Sequence, residues 1–333
     1  GAIDVIVVTH IDADHISGII KLLEEEALPI SIGEIWYNGY RHIQSVVKVS
    51  ANGEHFVHNN ICKAVQLAES KKISARQGCT LSTLIARKGI PWNVPLSGAT
   101  IKGLYSFSFG KATIHILSPN SDDISNVESF WKKKLIIDGL LSKAHSEEFW
   151  DDAFEYSLSK DKPGFHYHER NVSKSYDLIK MMEEIYEPDD SATNGSSIAF
   201  VLEVDEKRVL FLGDAHAETI VDSLMELYGK GNAPFWFDAV KLSHHGSYNN
   251  NSPELLKLIR CNNWLISTNG DKYNHPDLPT LAHIIANGNN HEPRLYFNYN
   301  IELSRELTAQ SYHDDFEFEI ITPVGEQGIT ITI

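Results

Sequence analysis

The chain has 333 residues, an apolar fraction of 42% and a formal net charge of −16. That length suffices for one large domain or two small ones with a sizeable core, and the charge excludes a protein that coats nucleic acid by electrostatics alone, though not a local basic groove or a metal cluster that draws phosphate. Cys62, Cys79 and Cys261 form no CxxC pattern, which points to reduced thiols in a cytoplasmic protein rather than a disulfide scaffold, and no stretch approaches the roughly 18 uninterrupted apolar residues of a membrane span.

The first predicted element is a strand. Ile3, Val5, Ile6, Val7 and Val8 are apolar β-formers that read as a strand buried on both faces. The run then turns polar at His10, Asp12, Asp14 and His15, and Gly18 leads into a helix over 19–27. Strand, ligand-bearing turn and helix is a rigid way to hold several donors. Imidazole with carboxylate suits zinc, manganese or iron rather than calcium. A helix cap is the plainer use of Asp and His here, but a cap needs only one such residue.

Residues 35–37 read as the next strand. Helical patterns follow at 40–50, at 59–70 with Asn59 and Asn60 as caps, and at 80–88, ended by Gly89 and Pro91. His42, His55 and His58 have no partner at ligand spacing, so they are expected on the surface or behind other ligands. Strands at 100–109 and 112–117 flank Gly110-Lys111, a two-residue hairpin turn.

The segment 121–190 is long and irregular. It holds Trp131-Lys132-Lys133-Lys134 in a helix to about Leu141, an acidic run at 147–152, Pro163-Gly164 and a helix near 173–186. A long insertion usually shapes a substrate site or holds a protein partner. Lys132, Lys133 and Lys134 read either as phosphate contacts or as a solvated helix face. His166-Tyr167-His168-Glu169-Arg170 reads either as a reach toward metal or as surface.

Asn194-Gly195-Ser196-Ser197 leads into a strand at 198–204. A strand at 208–212 delivers Gly213-Asp214 into a helix over 217–228, with His216 a helix-start residue. A third strand, 239–243, ends in His244-His245-Gly246-Ser247. Adjacent histidines at a strand end point in different directions, so one faces the site and the other packs behind it. Ser252-Pro253 caps the next helix. A strand at 265–270 precedes Asn274-His275-Pro276 and a helix over 278–286. Strands near 294–298 and 315–322 follow, and 328–333 alternates as an edge strand would.

The pattern His10-x-Asp12-x-Asp14-His15-x-x-Gly18 after a hydrophobic strand resembles the metallo-β-lactamase fold superfamily. Asp12 stands where the usual pattern has a second His, a variant typical of the hydrolase domain of the competence protein ComEC/Rec2 and its free-standing relatives. The Asn-x-x-Ser entry at Asn194–Ser197, the strand ending in Asp214, His244-His245-Gly246-Ser247 and His275 extend the likeness from residue 3 to about 286, with the insertion as the exception. The resemblance implies an α/β fold, the αββα sandwich of two mixed β-sheets flanked by helices, as one domain over 1–333 with an insertion at 121–190. The hairpin that usually precedes the motif strand is missing, so a fragment or an unusual variant is expected.

The resemblance further implies a centre of two divalent ions, zinc or manganese with magnesium an alternative, held by His10, Asp12, Asp14, His15, Asp214 and His275. Asp214 would bridge the ions, as a carboxylate can at a separation of about 3.5–4 Å. The family's middle histidine has no counterpart, which leaves the His10/Asp12 position the weaker one. Asp12 makes that position harder and more anionic, favouring manganese or magnesium and suiting phosphate esters. Asp14 with His244 or His245 would serve catalysis, one histidine stabilising developing charge or protonating the leaving group. Asn194, Ser197 and Ser247 would contact substrate. The implied activity is phosphodiester hydrolysis of DNA or RNA by a metal-activated water. The alternatives are a small phosphodiester, such as a cyclic nucleotide or phosphorylcholine ester, and a subunit of a multi-protein defence-type system docked through 121–190.

Overall fold

The computed structural model describes residues 1–43, 81–137, 154–155, 177–270, 274–288, 292–309, 316–325 and 328–333. These fall into two compact units, Gly1–Ile101 with Ser121–Pro163, and Lys102–Asn120 with Gly164–Ile333. The helix expected at 59–70 with its Asn59 and Asn60 caps, His55, His58, Cys62, Cys79, the acidic run 147–152 and the stretch 166–170 lie outside the described residues. Among the described residues no helix is long and apolar enough to cross a membrane.

The first unit contains β1 (Ala2–Val7), α1 (Ala13–Glu24), β2 (Ser31–Trp36), α2 (Tyr40–Ile43), α3 (Leu81–Lys88) and α4 (Ser121–Ile137). β1 and β2 pair in parallel with Ile3 opposite Ile32 and Val7 opposite Trp36. The expected burial of β1 on both faces does not occur: its residues run from exposed to half-buried, and Ile3 keeps 39% of its surface. Its β-branched residues favour the extended backbone, but burying both faces takes layers on both sides. The core gathers instead around Val8, Ile16, Leu23, Ile35, Tyr37, Leu81, Leu84 and Ile85. Ile16 and Leu23 lie seven residues apart on one side of α1, the spacing of two helical turns.

α1 begins at Ala13, not at the expected position 19. Asp12 is its N-cap residue, and its carbonyl accepts the N–H groups of His15 at 2.9 Å and Ile16 at 3.1 Å. Gly18 is therefore inside the helix rather than before it. The aliphatic residues within 19–23 marked only the later turns, whereas the polar residues that start the helix carry no apolar period.

Part of the long segment expected as an insertion belongs to this unit's own core. Trp131 of α4 is buried, with its ring 4.2 Å from Tyr40 and 5.7 Å from Phe154. Lys132 pairs with Glu128 one helical turn earlier at 2.6 Å, and Lys134 lies over the Phe130 ring. Both therefore have local partners on the helix. The buried Glu155 carboxylate accepts from Leu81 N–H, Ser82 N–H and Ser82 Oγ at 2.7, 3.0 and 2.7 Å. It satisfies the open donors at the start of α3 from more than 70 residues away.

The second unit is built on an eight-stranded mixed sheet of order β12-β11-β10-β8-β6-β5-β4-β3. Its elements in chain order are β3 (Tyr105–Phe109), β4 (Ala112–Ser118), α5 (Leu178–Met181), α6 (Ala192–Gly195), β5 (Ala199–Val204), β6 (Lys207–Phe211), α7 (Ala217–Tyr228), β7 (Phe235–Phe237), β8 (Ala239–Lys241), α8 (Pro253–Leu258), β9 (Ile259–Cys261), β10 (Asn263–Ile266), α9 (Leu278–Asn287), β11 (Arg294–Phe297), α10 (Glu302–Ala309) and β12 (Glu319–Ile321). β3 to β6 pair antiparallel, and β6, β8, β10, β11 and β12 run parallel. β3 and β4 close on Gly110-Lys111 as a two-residue hairpin, with Phe109 opposite Ala112. Of the expected α/β fold with two mixed β-sheets flanked by helices, the described residues show one large mixed sheet flanked by helices, with separate two-stranded parallel pairs β1–β2 and β7–β9.

Helices pack on this sheet through Ile220 and Leu224 of α7, Leu255 of α8, Leu281 and Ile285 of α9, and Leu303 and Leu307 of α10, against Val201, Leu210, Val240, Ile266 and Leu295. α9 buries seven consecutive residues, Pro279 to Ile285, as a helix apolar on most sides must. Cys261 is buried, which pushes its thiol up to about 12 and keeps it inert. Residues 328–333 form no strand. Alternation favours one only where a neighbouring strand takes up the ladder hydrogen bonds. β7 and β9, three residues each, are too short to give a sequence signal, whereas α10 carries an amphipathic one in Leu303 and Leu307 that the expected elements left out.

His42, expected at the surface or behind a ligand, is a buried structural residue. Its Nδ1 accepts the Gly39 N–H at 3.2 Å and its ring lies 4.5 Å from Trp92. Burial, helped by the Arg41 guanidinium, lowers its pKa to about 4. The unfolded chain takes up this proton near pH 6.5 and the folded one only near 4, so acidification across that window favours unfolding, by about 3 kcal/mol in total. A His42→Asn variant, which keeps an acceptor for Gly39, should lose this component of the pH slope when denaturation is followed between pH 7 and 4. Removing the distant cap of α3 by Glu155→Ala should lower stability by about 2–4 kcal/mol in urea titration, because buried donors lose their acceptor.

Candidate functional site

In the first unit, β1 delivers the chain to Thr9 and His10, and α1 carries Asp14 and His15 in its first turn. Asp12 has N-cap backbone geometry but makes no side-chain cap bond. Its carboxylate is instead 3.5 Å from His10 Nε2. His15 Nε2 lies 3.7 Å from Asp14 Oδ2, and the two imidazole rings are 4.1 Å apart. Thr9, which the motif did not single out, sits at 3.2 Å from His10 Nδ1 and 2.9 Å from His15 Nδ1. One hydroxyl thus engages the inner nitrogen of both rings and turns both Nε2 atoms toward carboxylates. His10 is buried, whereas the Asp14 side chain keeps 54% of its surface and is open to solvent.

In the second unit, β6, β8 and β10 run parallel, so the residues that follow them emerge along one edge of the sheet. Asp214 follows β6, His244 and His245 follow β8, and Ser267 follows β10. β5 is antiparallel to β6, with Phe200 opposite Phe211, so the residues before β5 reach the same edge. There the buried Ser197 Oγ accepts the Asp214 N–H at 2.9 Å, which fixes the turn bearing the carboxylate. Asn194 is buried too, and its amide donates to Asp189 Oδ2 at 2.6 Å. Both residues, expected to orient water or substrate, are held in this framework. Ser247 is also buried, its N–H donating to the His244 carbonyl at 2.8 Å.

The turn after β8 is strained. His244 and His245 have φ of 42° and 57°, and Gly246 follows at 89°. Consecutive non-glycine residues in the left-handed region cost about 1–3 kcal/mol each and concentrate where a site demands them. His244, His245 and His275 are each anchored through Nδ1. His244 Nδ1 meets Asn250 Oδ1 at 2.8 Å, His245 Nδ1 meets the Ser267 carbonyl at 2.5 Å, and His275 Nδ1 meets Asp277 Oδ1 at 3.0 Å. These partners only accept, so the proton sits on Nδ1 and the lone pair on Nε2, the form in which a histidine binds a cation or takes a proton. His244 Nε2 is 3.8 Å from Asp214 Oδ2, and the His244 and His275 rings are 5.4 Å apart. Asp277 precedes α9 as its N-cap residue, yet its carboxylate serves His275 and the Tyr248 N–H rather than the helix.

His216 is the N-cap residue of α7, as its position suggested, and its Nε2 meets the Ser191 carbonyl at 2.9 Å. Lys241 ends β8 and donates to the Leu242 carbonyl at 2.8 Å; burial pushes its ammonium below the usual lysine range, and Asp214 partly offsets this. Asp189, Asn250, Asp277 and Lys241 carried no motif. Only a polar residue beside a motif, such as Asp277 after Pro276, could have flagged one of them.

The donors in both units are imidazoles and carboxylates, a set that fits zinc or manganese and offers no thiolate. No protein-family model matches the chain, and a search of curated proteins finds no match.

Gly246 permits the close seating of the segment that carries His275. A Cβ at Gly246 would lie 2.6 Å from Pro276 Cβ, and the Asp277 N–H donates to the Gly246 carbonyl at 3.1 Å. Gly246→Ala should therefore destabilise the protein by about 2–4 kcal/mol through clash and positive φ, measured by chemical denaturation.

Proposed function

We propose that this protein is a divalent-metal-dependent hydrolase of the metallo-β-lactamase type that cleaves phosphodiester bonds, with nucleic acid as the favoured substrate. The observation that carries the reading is the common anchoring of His244, His245 and His275 through Nδ1, beside Asp214 at one sheet edge. Anchored imidazoles next to a buried carboxylate support metal-assisted hydrolysis better than a structural role, because packing alone does not require three oriented histidines.

His10, Asp12, Asp14 and His15 of the first unit and Asp214 and His275 of the second would hold the ions. It is the sequence resemblance that assigns these two sets to one centre. Two divalent cations would acidify a water and neutralise phosphoryl charge. Asp214, fixed by Ser197, would hold its carboxylate without rearrangement. His244 and His245 would present Nε2 to the phosphoryl group or the leaving oxygen. Thr9 would keep His10 and His15 oriented together. Asp12 in place of histidine favours manganese over zinc. The second substrate reading, a small phosphodiester, gains support from the net charge of −16 and from the pairing of Lys132 with Glu128.

The test is hydrolysis of single- and double-stranded DNA, RNA, cyclic nucleotides and bis-p-nitrophenyl phosphate with manganese, zinc or magnesium. Asp14→Ala and Asp214→Ala should each lower turnover at least about a hundredfold while leaving the chain folded. Cleavage of the small esters alone would reject the nuclease assignment. Fewer than one bound ion per chain by metal analysis would reject the metal centre.

A further inference from the structure

Asp189 lies in Pro188-Asp189-Asp190, which no motif covers, yet it is the hub of the polar network behind His244. Its Oδ2 accepts from Asn194 Nδ2 at 2.6 Å and from Asn250 Nδ2 at 2.7 Å, and its Oδ1 accepts the Ser191 N–H at 3.0 Å. His216 Nε2 stands 3.9 Å from Oδ2. Asn250 has no exposed surface. Its amide nitrogen also donates to the Asp214 carbonyl at 3.1 Å, so both amide hydrogens have acceptors and Oδ1 must face His244. Asn194 Nδ2 approaches His244 Nδ1 at 3.4 Å, but the 2.8 Å contact from Asn250 Oδ1 is the shorter and places the proton on Nδ1.

We propose that Asp189 and Asn250 are positioning residues: Asp189 locks the orientation of the Asn250 amide, and Asn250 in turn holds His244 in the Nδ1–H tautomer with Nε2 directed to the Asp214 side. Of the two adjacent histidines, this makes His244 the one oriented by a side-chain relay, whereas His245 is tied to the backbone carbonyl of Ser267. The arrangement orients a ring through an amide bridge from a carboxylate that keeps 14% of its side-chain surface. An amide holds the tautomer without placing a second negative charge beside Asp214. The kinetic part of the inference rests on the hydrolase reading given above; the tautomer does not.

Two measurements test it. The first reads the tautomer directly, by long-range proton–nitrogen correlation spectra of the ¹⁵N-labelled full chain, with His244→Gln supplying the assignment. Wild type should show the Nδ1–H form at His244, and Asn250→Ala should shift it toward Nε2–H or a mixture. An Nε2–H form in wild type overturns the proposal whether or not the protein hydrolyses anything. The second is a double-mutant cycle on bis-p-nitrophenyl phosphate hydrolysis. Asn250→Ala should lower kcat about 10–100-fold with little change in KM, and the loss should vanish in a His244→Ala background. A loss that persists there would show that Asn250 acts through the Asp214 backbone and would overturn the relay. If Asn250→Ala does not fold, Asp189→Asn enters the same spectrum and cycle, with a smaller loss that must also vanish without His244. Absence of any hydrolysis alongside the expected tautomer would reject the enzyme reading and leave the relay standing.

Discussion

Parallel pairing of β6, β8 and β10 is the constraint on which the second unit's chemistry depends. Strands that run the same way release their following residues along the same edge, so Asp214, His244-His245 and Ser267 become neighbours although far apart in sequence. The antiparallel turn-back of β5 brings Ser197 and Asn194 to that edge from the opposite direction. Buried polar groups at such an edge must be satisfied or they destabilise the fold. The network through Asp189, Asn250 and Ser197 meets that demand, and in doing so orients the side chains that point outward.

The strained turn after β8 follows from the same arrangement. His244 and His245 both adopt positive φ, and Gly246 continues the turn where Pro276 leaves no room for a Cβ. Such a turn persists only when surrounding contacts over-determine it. Here they are the His244 N–H to the Gly213 carbonyl, the Asp277 N–H to the Gly246 carbonyl, and the two anchored imidazoles. The first unit reaches a similar end by a shorter route. One threonine hydroxyl organises two histidines supplied by a strand end and a helix start.

The described parts of the segment 121–190 make core contacts that its composition alone does not reveal. Its length suggested a segment that shapes a substrate site or holds a partner, and its lysines a phosphate contact or a solvated helix face. Among its described residues Trp131 and Phe154 are core and pack with Tyr40, and Glu155 caps α3. Near its end, Asp189 supports the histidine turn of the second unit. A long connection between elements can thus contribute buried contacts and polar support to the elements it joins.

Much of the local structure was determined by the sequence itself. The Gly110-Lys111 hairpin, the helices over 217–228 and 278–287, the Ser252-Pro253 helix start and the strands leading to Asp214 and His244 depend on propensity, caps and apolar runs, which act between near neighbours. The residue types of a metal-binding set were legible for the same reason, because strand-then-ligand patterns are local. Only the tertiary structure decided the rest. The alternating 328–333 stretch forms no strand, since alternation cannot supply a pairing partner. β1 stays partly exposed because burial requires layers that apolar content does not provide. Thr9, Asp189, Asn250 and Asp277 owe their roles to distances of 2.6–3.2 Å fixed by packing. An isolated Asp or Asn in a sequence says nothing about which histidine it will hold.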